Sequence, residues 1–160
     1  MSPAYERLTD MNDVVTRVAE LSLKTVIFDV EPLIAYWNTT QDVLDQGVCT
    51  IIPKFAAIPG LRIVCFATNS ARQVSAIPQS SGVQVKYLAS AGKPLRTSPY
   101  LGFPKPGAVV GDQILTDGML ARRLGFTFLH CAPSLTSIPL GPQLLNRFGN
   151  LLRPLLFGKH

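Results

Sequence analysis

Apolar residues fall along this chain in short blocks, and the blocks have two different periods. From Asp10 to Leu21 the apolar positions Val14, Val15, Val18 and Leu21 recur at helical spacing behind Asp10 and Asn12, which can cap, so the pattern predicts an amphipathic helix. Five later runs are short, continuous and rich in β-branched or aromatic residues: Thr25 to Phe28, Leu61 to Ala67, Val83 to Leu88, Ala108 to Val110 and Phe126 to Cys131. Continuous rather than alternating runs are the mark of strands buried on both faces, as in parallel sheets. The segments between them have room for helices at Thr40 to Ile58, Ala71 to Pro78 and Thr116 to Leu124. The order of elements predicts an α/β three-layer sandwich, a single Rossmann-like domain with a mainly parallel sheet of about five strands.

Prolines 94, 99, 104 and 106 make the stretch from Lys93 to Gly107 mostly loop. After Cys131 the leucines and Phe148 recur at steps of three or four, which predicts a basic amphipathic helix within about 140–157, about three turns of it between Pro142 and Pro154. Such a stripe packs more often on the domain's own sheet than on a membrane, and both destinations stay open. Tyr36, Trp37 and Phe55 are expected in core or rim packing.

With 160 residues and 47% hydrophobic residues the chain can bury one core. No apolar stretch reaches the length needed to span a bilayer, and the start, with Glu6, Asp10 and Asp13, does not resemble a secretory signal. A cytoplasmic location is expected, with membrane association open through the tail. Cys49, Cys65 and Cys131 form no closely spaced pair, so a disulfide framework or zinc site is not expected and buried positions are.

Charge is distributed unevenly. The net charge of +5 belongs wholly to the segment after Asp117, which contains no acid. An anionic partner for that end is expected, a lipid headgroup before a nucleic acid, since the basic residues are dispersed and no nucleic-acid module is present. Between Gln46 and Gly111 every charged side chain is Lys or Arg as well, the histidines apart, so Asp112 and Asp117 stand alone as carboxylates and invite a hard cation such as Mg²⁺.

Ligands of doubly wound sheets bind outside the carboxyl ends of the strands. Asp29 and Glu31, Thr68 and Asn69, Lys93, and Asp112 each follow a predicted strand. Together they supply carboxylates for a metal, donors for an anion and a cation for a phosphate, the composition of a phosphoryl-transfer site. Singly, each could equally be a cap or turn residue.

Four motifs carry a resemblance to the haloacid-dehalogenase-like superfamily of phosphohydrolases. They are Asp29-Val30-Glu31-Pro32-Leu33-Ile34-Ala35-Tyr36-Trp37, Thr68-Asn69, Ala91-Gly92-Lys93-Pro94-Leu95 and Gly111-Asp112-Gln113-Ile114-Leu115-Thr116-Asp117. The likeness is greatest to the capless subfamily IIIA, in the YqeG-like branch that includes phosphatidylglycerophosphate phosphatases. It implies Asp29 as nucleophile and metal ligand, Glu31 as acid and base and as a main-chain metal ligand, and Asp112 as metal ligand with Asp117 close by as an outer or water-mediated ligand. It also implies Thr68, the amide of Asn69 and Lys93 as partners of the substrate phosphate, and Mg²⁺ as cofactor. The first motif departs from the family, with Glu31 for Asp, Pro32 for Asn or Gly and Leu33 for Thr, so a weakened or inactive relative that binds phosphate, metal or a partner is the alternative.

Spacing bears on the substrate. Between Asp29 and Thr68 lie 38 residues, and between Thr68 and Lys93 only 24, enough for a crossover and a strand but not for a cap domain. An open site suits a substrate carried by a larger body, so a phosphorylated, lipid-linked substrate is expected. His130 and His160 are not expected to be catalytic.

Overall fold

The computed structural model describes residues 4–131 and 140–158; His160 lies outside them. Six strands form one all-parallel sheet: β1 (Tyr5–Leu8), β2 (Thr25–Asp29), β3 (Ile63–Ala67), β4 (Gln84–Leu88), β5 (Gly107–Gly111) and β6 (Thr127–Cys131). Their order is β1-β6-β5-β2-β3-β4, so the chain turns outward in both directions from β2. The five expected strands are present within a residue or two. The sixth, β1, escaped because Glu6 and Arg7 interrupt its apolar pattern; as an edge strand it needs only one partner, β6, in the register Tyr5 to Phe128.

Among the described residues four α-helices accompany the strands: α1 (Met11–Glu20), α2 (Gln41–Ala56), α3 (Met119–Leu124) and α4 (Leu140–Phe157). The start of α1 is fixed by Asp10, whose carboxylate accepts from the amides of Asn12 and Asp13 while the Asp13 carboxylate accepts from the Asp10 amide. This reciprocal capping satisfies donors that a helix start leaves free. α4 has the expected bounds of about 140–157, so it runs through both Pro142 and Pro154 and beyond the three turns between them.

The expected helix from Ala71 to Pro78 is absent. Side chains from elsewhere hold that segment as an open loop: Gln41 donates to the Gln73 carbonyl, Asp45 accepts from the Ser75 amide and hydroxyl, and the Tyr87 hydroxyl donates to the Arg72 carbonyl. Backbone groups bonded in this way are not available for a helical ladder.

Alternate strand residues face two separate cores. Val26, Phe28, Val64, Phe66, Ala108 and Val110 meet α1 and α2 on one side, through Val14, Val18, Leu44 and Phe55. Ile27, Cys65, Val109 and Phe128 meet Leu120, Ala121, Tyr100, Phe103 and Phe157 on the other. These are the three layers expected. Phe55 is core, as expected, whereas Cys49 is exposed on α2 rather than buried with Cys65 and Cys131. Each fully buried aliphatic or aromatic side chain contributes roughly 1.5–3 kcal/mol, so the sheet is a stiff platform for whatever its strand ends carry. Among the described residues, the intervals from Asp29 to Thr68 and from Thr68 to Lys93 hold only loops, α2, β3 and β4, and no cap.

Candidate functional site

The outward turn at β2 opens a crevice between the carboxyl ends of β2, β3 and β5. Register determines what lines it. Phe28 pairs with Val110 and Asp29 with Ala67, so Asp29 ends its strand level with Gly111 and one residue short of Thr68. An open pocket there is lined by Asp29, Glu31, Trp37, Thr68, Asn69, Ser70, Lys93, Gln113 and Thr116.

Beneath it, Asp29, Asp112 and Asp117 converge, each offering an oxygen within 4.8 Å of the others, and all three are buried. Three buried carboxylates repel one another unless a cation intervenes. Lys93 supplies one charge: its Nζ donates to Asp29 Oδ1 at 2.7 Å and to Asp117 Oδ1 at 2.8 Å. Burial alone would lower the pKa of this ammonium, but Asp117 and Asp29 outweigh burial and hold it above its ordinary value. One positive charge does not balance three negative ones. Burial and then the charge of Asp117 push Asp29 well above the usual carboxylate range. The same two causes, opposed by a bond from Asn146, raise Asp112 to about 7.

Asp117 owes its place to local backbone. After β5 the chain enters a π-helical turn, Ile114–Gly118, in which the Asp117 amide bonds the Gln113 carbonyl and the Asp117 carboxylate accepts from the Gln113 amide. This curls the carboxylate back over Gly111. A Cβ at Gly111 would lie 2.2 to 2.5 Å from the Asp117 side chain, closer than atoms pack, so only glycine fits there. Five-residue separation therefore brings two acids together instead of spacing them along a helix.

A divalent cation suits this donor set. Among the described residues Oδ1 of Asp112 is buried without a hydrogen-bond partner, and an orphaned buried carboxylate oxygen calls for a cation or a proton. The donors of this cluster are hard oxygens, which suit a hard cation. Glu31 stands apart from the other three acids. Its Oε2 accepts from the Thr68 hydroxyl at 2.6 Å, and its Oε1 lies 3.6 Å from the Arg72 guanidinium and 3.4 Å from Ser70 Oγ. Its carboxylate thus faces cationic and hydroxyl donors, not the cluster.

Asn69 uses its side chain on protein. The amide donates to the Lys93 carbonyl at 2.9 Å and accepts from the Lys93 amide at 2.7 Å, a reciprocal pair that fixes the loop from which the ammonium reaches down. Pro94 follows at once, and both the Lys93–Pro94 and Glu31–Pro32 bonds are cis.

Sequence reasoning did not anticipate four participants. Arg72 and Ser70 reach Glu31 from the loop after β3, and Arg72 lies in the segment expected to be a helix. Asn146, in α4, donates to Asp112 Oδ2 at 3.4 Å. His130 bonds the Asp112 carbonyl at 3.0 Å through Nε2. A carbonyl only accepts, so Nε2 carries the proton and Nδ1 accepts from the Tyr5 hydroxyl, 2.8 Å away. Burial keeps this ring neutral by lowering its pKa. His130 thus ties β6 to the main chain at Asp112. Only a polar residue inside an otherwise apolar strand hinted at it.

Comparisons with family models, with curated proteins and with solved structures gave no match for this chain.

Proposed function

We propose that this protein is a Mg²⁺-dependent phosphomonoesterase that works through an aspartyl-phosphate on Asp29. The observation that carries the reading is the convergence of Asp29, Asp112 and Asp117, bridged by Lys93, at the floor of an open pocket at the strand ends. The resemblance of the four motifs to the haloacid-dehalogenase-like superfamily supports it independently.

Asp29 and Asp112 would hold Mg²⁺, with Asp117 beside them and, by the resemblance, the Glu31 carbonyl. The bound cation would supply positive charge for the phosphate oxygens and for the crowded carboxylates. An Asp29 carboxylate oxygen attacks phosphorus, the bond from phosphorus to the leaving oxygen breaks, and that oxygen takes a proton. Water then attacks phosphorus in the acyl phosphate, which releases inorganic phosphate and restores the carboxylate. Lys93 lies where it can both orient Asp29 and share the charge that spreads over the equatorial oxygens. Asn69 acts through the main chain of Lys93.

An open, capless pocket cannot desolvate a small substrate by itself, which favours a phosphomonoester presented by a larger body. Phosphatidylglycerophosphate is the specific candidate that the resemblance offers. Purified protein with Mg²⁺, assayed on a generic phosphomonoester and on that lipid, should release phosphate, and Asp29→Asn should abolish the release. Equal background from both proteins would sink the proposal.

One observation favours a second reading, a protein that binds metal and phosphate without turnover. Both oxygens of Glu31 are engaged by Thr68, Ser70 and Arg72, so the group meant to exchange protons with the leaving oxygen and water is already committed. Under this reading the combined change Glu31→Asp, Pro32→Asn and Leu33→Thr creates activity in a chain that lacks it. Ordinary turnover by the unaltered chain excludes this reading.

A further inference from the structure

α4 shows two opposite faces. Its inner face meets the domain: Gly149 is packed on Ile114 and Leu115, so closely that a Cβ would come within 3.0 Å of Ile114, and Phe157 stacks with Phe128. Its outer face carries Leu140, Leu144, Phe148, Leu151 and Leu155, all between 55% and 78% exposed. Steps of four, four, three and four residues at about 100° each place these five on one stripe, nearly opposite Gly149. Single exposed apolar side chains are ordinary, but five in one stripe mark a surface that binds something.

Charge selects the occupant. From Gly118 to the end of the chain there is no Asp or Glu, whereas Arg122, Arg123, Arg147, Arg153 and Lys159 are all basic. Arg147, seven residues from Leu140, lies about 20° from it around the helix and so borders the stripe. A second copy of the chain packed stripe to stripe would bring like charges together with no acid on either helix to pair with them. An anionic lipid surface matches the apolar stripe and Arg147 at its border, whereas Arg153 lies over the Tyr5 ring on the inner side. α4 is not long and apolar enough to cross a membrane, so the fitting arrangement lies in the plane of the interface.

We propose that the outer face of α4 docks this protein on anionic membranes. The inner face of the same helix touches the functional site, through Asn146 on Asp112 and Gly149 on Ile114. This inference stands on the helix and its charge, and holds whether or not the site hydrolyses phosphate.

The test is co-sedimentation of the full chain with vesicles of phosphatidylcholine, with and without phosphatidylglycerol. The wild-type chain should pellet with the anionic vesicles, and rising salt should release it. The triple variant Leu144→Glu, Phe148→Glu, Leu151→Glu should bind on the order of tenfold or more weakly, from lost apolar burial. Because these side chains point outward, its thermal midpoint should match the wild type. Arg147→Gln, a milder change that keeps the stripe, should weaken binding by about fivefold. A wild-type chain that stays in the supernatant, a triple variant that pellets equally well, or a wild-type dimer that those substitutions disperse would overturn the proposal.

Discussion

Asp117 folds back onto Gly111 so tightly that a methyl group on Gly111 would overlap its carboxylate. The acid that completes the three-carboxylate cluster is thus placed by a missing side chain on the preceding strand. Gly111→Ala must displace Asp117 or bend β5, and it should cost about 2–3 kcal/mol, as overpacking of a closed interior does. Urea unfolding should show it, together with a loss of the stabilisation expected from Mg²⁺ on the proposed reading. An unchanged midpoint would mean that Asp117 can move away freely.

Lys93 is the only cation bonded to both Asp29 and Asp117 among the described residues. Lys93→Met leaves two buried carboxylates uncompensated, at an expected cost of about 3–5 kcal/mol near neutral pH. In acid Asp29, whose burial already pushes it well above the usual carboxylate range, takes up a proton, so the deficit should shrink as pH falls. Paired thermal unfolding of the wild type and the variant across pH checks this, and a deficit independent of pH would contradict it.

Asp112 sets the pH response of the metal-free protein. With its folded pKa near 7 against an ordinary 3.8, this carboxyl binds more protons folded than unfolded between those values. Stability from this group is therefore fully present below about pH 4 and is lost as pH rises to 7, by roughly 4 kcal/mol at most. Asp29, shifted in the same direction, adds to the trend. On the proposed reading Mg²⁺ would compete with those protons, so the stabilisation it gives should grow over the same interval. Thermal midpoints in chelator and in Mg²⁺, measured from pH 4 to pH 8, should diverge; parallel curves would exclude Asp112 as a ligand.

Asn69 separates positioning from direct contact. Asn69→Ala removes two hydrogen bonds to the Lys93 backbone, with an expected cost of about 1–3 kcal/mol. If its side chain acts only through Lys93, turnover should fall while affinity for inorganic phosphate, read by calorimetry, stays within about twofold. A large loss of phosphate affinity with unchanged stability would instead make the Asn69 side chain a ligand.

Much of the fold could be read along the chain because local composition encodes it. Continuous apolar runs announce β2, β3, β4, β5 and β6, and Asp10 announces α1. The failures share one cause. Tyr5 to Leu8 becomes a strand only because β6, more than a hundred residues away, offers it an edge, and Ala71 to Pro78 is kept from a helix by Asp45, Gln41 and Tyr87. In both cases distant partners override local preference.

The site divides along the same line. Sequence alone determined which residues stand at the strand ends, since a polar group that interrupts an apolar run must emerge where the buried strand stops. Asp29, Glu31, Thr68, Lys93 and Asp112 were identified in that way. Only the tertiary structure decided which of them meet: Lys93 goes to Asp29 and Asp117, Glu31 goes to Thr68 and Arg72, and Asn146 comes from the last helix to Asp112. Partners separated by 24 to 64 residues along the chain leave no mark in local pattern. Their pairing follows from strand order and register, which burial of the whole sheet fixes at once.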